Sequence, residues 1–437
     1  MTDSPSSQTA VPVRRSAPVV KIAAAFLLPL FFVIAFPLLF VGAIHKPTPH
    51  ELSILVVGPD QVVSQIAAGL DGTDEYAATA TDVVDDAKSS VEERKVMGSI
   101  LVSVDTADAA GNAAPAGSAA PADPAAATAT ASPGSAGAPT YTVTTYVANA
   151  EGRAVAATVT AAGEKIAEQL GTTATVEDLA PLAATDTLGV TLFYLLTYTS
   201  VGGYLVVIVL MQVMPKARLS TRFGAVTVAA IAAPLVAFGL SSIFVGDYGA
   251  SFGTIMGLLG VIALYVFTVG SVGILIEQFL GKAATFGIML FVVFLNFPSA
   301  GGAAPAAMLP PFWQFMHEVY FGAGAYEAMR SIVYFGGNGA ARWIFQLLAW
   351  TFGIVLINVV VYLAKTVRRQ KREIAELSRA ATGGPELQGQ SEADSTGDPA
   401  SAKHVKVEVY QLYEPDRTED PHHEPVRALT QSEGETR

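Results

Sequence analysis

Six apolar runs restrict this chain more than anything else in it. They cover roughly residues 19–44, 188–213, 224–246, 253–276, 283–297 and 343–364. A helix rises about 1.5 Å per residue, so about 20 apolar residues cross the roughly 30 Å hydrocarbon layer of a bilayer. One water-soluble core could not bury so much apolar chain, and the balance of 51% hydrophobic to 15% charged residues points the same way. The expected fold is a polytopic α-helical membrane protein with six transmembrane helices. A small α+β extracytoplasmic domain is expected between the first and second. Pro29 and Pro37 interrupt the first run, where neighbouring helices can repair the lost donors. That run exceeds the apolar core of a signal peptide, so a retained anchor is expected rather than a cleaved leader.

Basic residues orient the runs. Arg14, Arg15 and Lys21 precede or open the first run, Lys216, Arg218 and Arg222 fill the loop after the second, and Lys282 follows the fourth. Lys365, Arg368, Arg369, Lys371 and Arg372 follow the sixth. All fall on one side if both termini are cytoplasmic, and they make the lipid bilayer itself a partner through anionic headgroups. The expected division is a cytoplasmic tail at 1–18, the first span at 19–44 and an extracytoplasmic domain at 45–186. Spans two to six follow at 187–365, with a re-entrant hairpin at 298–337, and then a cytoplasmic tail at 366–437. The spans contain almost no ionisable groups, which disfavours an intrinsic proton relay.

Within 45–186, Ser53–Val57, Gly98–Ser103 and Tyr141–Ala148 read as strands, with helices around Gln61–Leu70 and Val83–Val96 and a further one from about Glu151. Residues 107–140 are nearly all Ala, Pro, Gly, Ser, Thr and Asp and cannot bury enough apolar surface to fold, so a disordered insertion is expected. This region holds 19 Asp and Glu against 6 Lys and Arg, an excess that reads as a solvated surface. Nucleic acid is excluded as a partner by that charge and by the chain's net −12. No cysteine is present, so the domain must hold by packing alone.

Between the last two runs, Asn296 to Gly337 carries Pro298, Pro305, Pro310 and Pro311 in its first half, where no regular helix can continue. Phe312, Phe315, Met316, Val319 and Tyr320 then recur at helical spacing, and Ala325, Ala328, Met329 and Ile332 continue it beyond a break at Gly322–Gly324. A short helical hairpin at one membrane surface is expected. Phe312, Trp313 and Phe315 would supply its interfacial aromatic surface.

The pattern Pro298-Ser299-x-Gly301-Gly302-x-x-Pro305, then Met308-Leu309-Pro310-Pro311-Phe312-Trp313, then an aromatic helix reaching Arg330, resembles the loop before the last helix of ABC-2-type permeases. The nearest likeness is to the YhgE/Pip branch, related to nitrosoguanidine-resistance-like membrane proteins. Gly273–Gly287 is similar to the family's turn between its fourth and fifth spans. Gly58-Pro59-Asp60, just after the first strand, is similar to the family's extracytoplasmic domain. The resemblance implies a bacterial cytoplasmic-membrane exporter subunit for hydrophobic or amphipathic cargo, acting as a homo- or heterodimer. ATP would be bound by a separate ABC ATPase subunit, with no cofactor in this chain. Gating would fall to Pro298, Gly301, Gly302, Pro305, Pro310, Pro311, Phe312 and Arg330. Coupling would fall to Lys216, Arg218, Arg222, Glu277 and Lys282.

No Walker A loop, His-Glu-x-x-His pair or Gly-x-Ser-x-Gly elbow occurs. Asp82, Asp85 and Asp86 lack calcium-loop spacing, and His45, His50, His317, His404, His422 and His423 carry no nucleophile signature. A non-enzyme is expected. The alternative to transport is a membrane scaffold or receptor-like protein assisting envelope assembly or secretion. It is favoured by the short N-terminal tail, where Pro12 and Pro18 leave little room for an ATPase-docking helix.

Overall fold

The computed structural model describes residues 18–44, 47–105 and 140–382. The expected N-terminal tail, the Ala/Pro-rich insertion, the polar C-terminal tail and His45, His404, His422 and His423 lie outside those residues.

The chain is a membrane protein, mostly helical, with a small mixed sheet. Among the described residues, four segments are apolar and long enough to cross a bilayer: Thr191–Val213, Leu219–Val245, Phe252–Ser299 and Ala340–Arg379. They belong to helices α6 (Thr191–Val213), α7 (Leu219–Val245), α8 (Phe252–Leu280) with its continuation, and α13 (Ala340–Thr382). Ahead of them α1 (Pro18–Ala35) runs through a π-helical turn, Phe36–Val41, into α2 (Gly42–Ile44). Pro29 lies inside α1 and Pro37 in the π turn, so both prolines are absorbed by one continuous helical run.

The 48-residue Phe252–Ser299 segment is not a straight rod. Gly281, at φ 51°, and a 3-10 turn at Gly281–Ala283 fold it back into α9 (Ala284–Ile288), a second π-helical stretch, Met289–Leu295, and α10 (Asn296–Ser299). The return is fixed by the Asn296 amide, which donates to the Tyr265 hydroxyl at 2.7 Å, the two residues standing almost equally far from Gly281. Phe36 and Phe40 of the first π stretch pack edge-on against Phe294 of the second.

Polar rivets join these apolar helices. The Thr268 and Thr351 hydroxyls meet at 2.6 Å, and Asn358 donates to the Ser271 carbonyl and accepts from Gln278. Such bonds hold helices together where the hydrophobic effect cannot discriminate between helix and lipid. By contrast α7 is apolar all round, and only 11% of its apolar window is covered by protein. A helix of that composition is stable only against lipid or another protein.

The α+β domain is a five-stranded sheet in the order β2-β1-β3-β4-β5. Its strands are β1 (Leu52–Val57), β2 (Tyr76–Thr81), β3 (Gly98–Asp105), β4 (Thr140–Val147) and β5 (Ala174–Asp178). β1 runs parallel to β2 and β3, β4 is antiparallel to β3, and β5 is parallel to β4. Helices α3 (Asp60–Asp71), α4 (Asp86–Glu92) and α5 (Arg153–Gln169) connect them. Val155, Val159, Ala162 and Ile166 of α5 form an apolar stripe buried with Ile100, Val102 and Val143. The three expected strands are present. The helix expected over Val83–Val96 is shorter, at Asp86–Glu92, and β2 and β5 were not expected.

After α10 the chain turns through Gly301 and a 3-10 turn at Ala306–Met308 into α11 (Pro311–Val319) and α12 (Phe321–Tyr334). The break between these helices is not at Gly322–Gly324. It falls at Tyr320, extended at φ −90° and ψ 147°, while both glycines lie buried inside α12. They are glycine for close approach. A Cβ on Gly322 would overlap the Asn296 side chain, and one on Gly324 would sit 3.1 Å from the Trp343 carbonyl oxygen. Trp313 is also not interfacial. It is buried with Ala43, Ala304 and Leu309, whereas Phe312 and Phe315 are more than half exposed.

Candidate functional site: a buried charge cluster between domain and hairpin

The hairpin is built into the domain rather than resting on it. Ala307 and Met308 belong to the hydrophobic core of the sheet, and Phe335, just after α12, packs with Val91, Ala148 and Ala180. The His50 amide donates to the Ala307 carbonyl at 3.0 Å across the seam. Gly152, at φ 128°, has its Cα face against the Pro305 ring, where any side chain would collide.

Four charged side chains meet in this seam. Arg94 follows α4, Glu151 ends the 3-10 turn after β4, and Glu327 and Arg330 stand one turn apart on α12. Arg94 grips Glu151 with two parallel donors, Nε to Oε1 at 2.5 Å and Nη2 to Oε2 at 2.9 Å. Its Nη2 also reaches Glu327 Oε2 at 2.6 Å, and its Nη1 donates to the Ser331 hydroxyl at 2.6 Å. Arg330 Nη1 bridges the same two carboxylates, Glu151 Oε2 at 3.0 Å and Glu327 Oε1 at 3.2 Å. Two guanidinium groups and two carboxylates thus form a closed, neutral ring with forked geometry. Arg330 is 4% exposed and Glu327 2%.

Local structure aims these groups. Arg94 has φ 59°, the left-handed region a non-glycine residue rarely enters, and that turn points its side chain inward from an otherwise solvated run, Glu92-Glu93-Arg94-Lys95. The Arg94 guanidinium then lies over the Phe335 ring and that of Arg330 over the Tyr326 ring, at 4.9 and 4.7 Å.

The ring holds its charges against burial. Burial pushes the Glu327 carboxyl up, but Arg330 first and Arg94 next outweigh it and hold the group down at about 2. Burial lowers the Arg330 guanidinium, and the neighbouring Glu327 more than reverses this, leaving it raised. Arg94 is raised in the same way, Glu151 and Glu327 overcoming its desolvation. Buried ions survive only when paired as fully as this.

His317 on α11 completes the site at 3% exposure. Its Nδ1 lies 2.8 Å from the Ser299 carbonyl, which can only accept, so Nδ1 carries the proton. Nε2 stands 3.8 Å from Glu327 Oε1, beyond hydrogen-bond distance. Gly301, at φ 82°, passes so close that a Cβ would lie 2.9 Å from the imidazole.

Of the residues singled out from the sequence, Arg330 is in the ring and Gly301 shapes it. Pro305 packs on Gly152, and Gly302 abuts Phe193. Pro298 is buried in α10, and Pro310 and Pro311 begin α11, where a proline costs no hydrogen bond. Phe312 is exposed and takes no part in the ring. Arg94, Glu151, Glu327 and His317 were not singled out as site residues.

The second set of sequence-selected residues gathers at the other end of the bundle. Arg222, in the first turn of α7, pairs with Glu277 of α8 and donates to the Ala217 and Pro215 carbonyls at 3.2 and 3.1 Å. Glu277 is therefore not a solvated helix end: its side chain is 12% exposed and paired. Lys365 donates to the Gln278 carbonyl beside it. Lys216, Arg218 and Lys282 are exposed around this knot. The far end of α7 lies beside the domain, where the Thr185 hydroxyl donates to the Val245 carbonyl at 2.6 Å.

The described residues contain no group of three or more His, Cys, Asp and Glu able to hold a metal ion. The chain matches no protein-family model, no curated protein and no solved structure.

Proposed function

We propose that this chain is the membrane subunit of an ABC-2-type exporter, embedded in a bacterial cytoplasmic membrane by six spans with both termini inside. A separate ATPase would drive it, and its cargo would be hydrophobic or amphipathic. The two ends of the helix bundle supply the supporting observation. Arg222–Glu277 and Lys365 tie α7, α8 and α13 at one end. At the other, the Arg94–Glu151–Glu327–Arg330 ring ties the hairpin to the α+β domain. Between the two lies an apolar interior riveted by neutral side chains, with no carboxylate among the described residues there to carry a coupling ion. A push on the basic end would move the helices as a body and carry the hairpin and domain with them. The exposed Lys216, Arg218 and Lys282 are the surface on which an ATPase would act.

The test is affinity purification of the intact protein from its own membranes in mild detergent, with identification of what accompanies it. Replacing Lys216, Arg218 and Lys282 together by Gln spares Arg222, whose loss would disrupt the fold itself. The expected result is a stoichiometric ABC ATPase with the native chain and its loss with the triple variant. Recovery of envelope or secretion components alone, even after cross-linking, would overturn transport in favour of a scaffold whose rigidly mounted domain is a docking platform. Arg330→Ala is expected to abolish function while leaving membrane insertion intact.

A further inference from the structure

Beside the charge ring lies a cavity of about 320 Å³ that neither transport nor scaffolding explains. It opens where the domain, α11, α12 and the start of α13 converge. Its inner wall is Arg94, Glu151, Glu327 and Arg330, and its rim carries Lys95, Glu318, Arg342 and the Trp343 ring. The volume suits a small ligand or a lipid headgroup.

The polar groups decide the ligand's sign. Both inner carboxylates already accept from two guanidinium groups, which leaves little acceptor capacity for a cationic guest. Donors, by contrast, remain. Arg330 is 4% exposed, and its Nη2 reaches the Gly301 carbonyl at 3.5 Å, the outer limit of a hydrogen bond. A charged donor so weakly paired at that depth is costly, and a bound acceptor would relieve it. On the rim, Lys95 pairs with Glu93 and Arg342 with Glu318, each cation about two-thirds exposed. Exposed pairs of this kind are screened by water and hold weakly, so either cation can turn to a guest at little cost.

We infer that the cavity is a binding site for an anionic phosphate group, held by Arg330 from within and by Lys95 and Arg342 at the mouth. Guanidinium forks and a mobile ammonium suit phosphate oxygens. The phosphate could be free in solution or carried by an anionic phospholipid whose headgroup enters between α11 and α13. The assignment holds for an exporter and for a scaffold alike, because it rests on the seam.

Trp343 provides the readout. Of the chain's three tryptophans it is the one lining the cavity. The intact protein in phosphatidylcholine nanodiscs is titrated with inorganic phosphate while its emission is followed. It is then moved to phosphatidylglycerol discs, and native mass spectrometry counts retained lipid. Lys95→Gln with Arg342→Gln removes both rim cations and leaves the buried ring, so the fold persists and its melting temperature confirms that. The expected result is a saturable signal that vanishes in Trp343→Phe and weakens about a hundredfold in the double variant, about tenfold for each lost charge-assisted bond. A signal with inorganic phosphate assigns the free anion. Retained phosphatidylglycerol, lost in the double variant, assigns the lipid. No saturable change from either source up to about 10 mM, or binding unaltered by the double substitution, would overturn the site.

Discussion

Glu327→Ala is the most informative single change in this protein. In the native ring two guanidinium groups face two carboxylates, and the charges cancel. Without Glu327, Arg94 loses its 2.6 Å partner and Arg330 its i,i+3 partner, and Glu151 alone faces both cations in a site almost closed to water. Removing one member of a buried ion pair costs about 3–5 kcal/mol, most of it the uncompensated charge left behind. At about 1.4 kcal/mol per decade, the seam should open roughly two to three and a half orders of magnitude more often.

The seam carries its own reporter. The His50 amide is protected by the Ala307 carbonyl across the domain–hairpin boundary, so its hydrogen exchange reports opening of that boundary and not of the whole bundle. The assay is exchange with mass spectrometry on a peptide covering 47–52 in nanodiscs. Acceleration of about a hundredfold or more is expected for Glu327→Ala. Glu327→Leu with Arg330→Leu, which removes a charge of each sign together, should recover much of it. Exchange within about tenfold of native for Glu327→Ala, or a double variant showing the sum of the two single effects, would refute the closed-ring reasoning.

Acid should open the same seam. Because Glu327 is held at about 2 against an ordinary 4.5, its stabilisation is complete above about pH 4.5 and is lost as pH falls toward 2; Trp343 emission from pH 7 to 2 should shift only in that lower window. Gly301→Ala forces a side chain into a left-handed backbone and against His317, at a cost of about 1–3 kcal/mol, whereas Gly253→Ala in α8 meets nothing closer than 3.8 Å and should be neutral or better by thermal melting. Asp105 pairs with Thr140 at the ends of β3 and β4, so replacing residues 106–139 by a four-residue turn should leave the domain folded and raise its stability by up to about 2 kcal/mol, from about three halvings of loop length.

The legibility of the fold followed burial. β1 and β3 lie inside the sheet and α5 packs on it, and all three carry Ile, Leu or Val at buried positions, so their patterns are plain in the sequence. β2 and β5 are the sheet's edges. Tyr-Ala-Ala-Thr-Ala-Thr and Ala-Thr-Val-Glu-Asp bury little, and their pairing is decided by partners far along the chain. The glycines of α12 show a different failure: glycine in a helical pattern signals a break only if no close neighbour requires it, and Asn296 and Trp343 are such neighbours.

The site was legible only where its logic was local. Glu327 and Arg330 are an i,i+3 pair of opposite charges on an apolar helix, a sign that something charged is buried there. Arg94 and Glu151 are 233 and 179 residues from the groups they meet on α12, and each stands in a stretch that looks solvated. Only the left-handed turn at Arg94 and the packing of Gly152 on Pro305 turn them inward. The apolar plugs of Ala307, Met308 and Phe335 could hold domain to hairpin without any charge, and such contacts tolerate sliding. A ring that closes only when four groups from separate segments arrive together does not, because any slip leaves a charge unpaired in a dry site. The ring therefore contributes register more than stability. In the exporter proposed above, a part that transmits displacement between the membrane bundle and the domain would need that register.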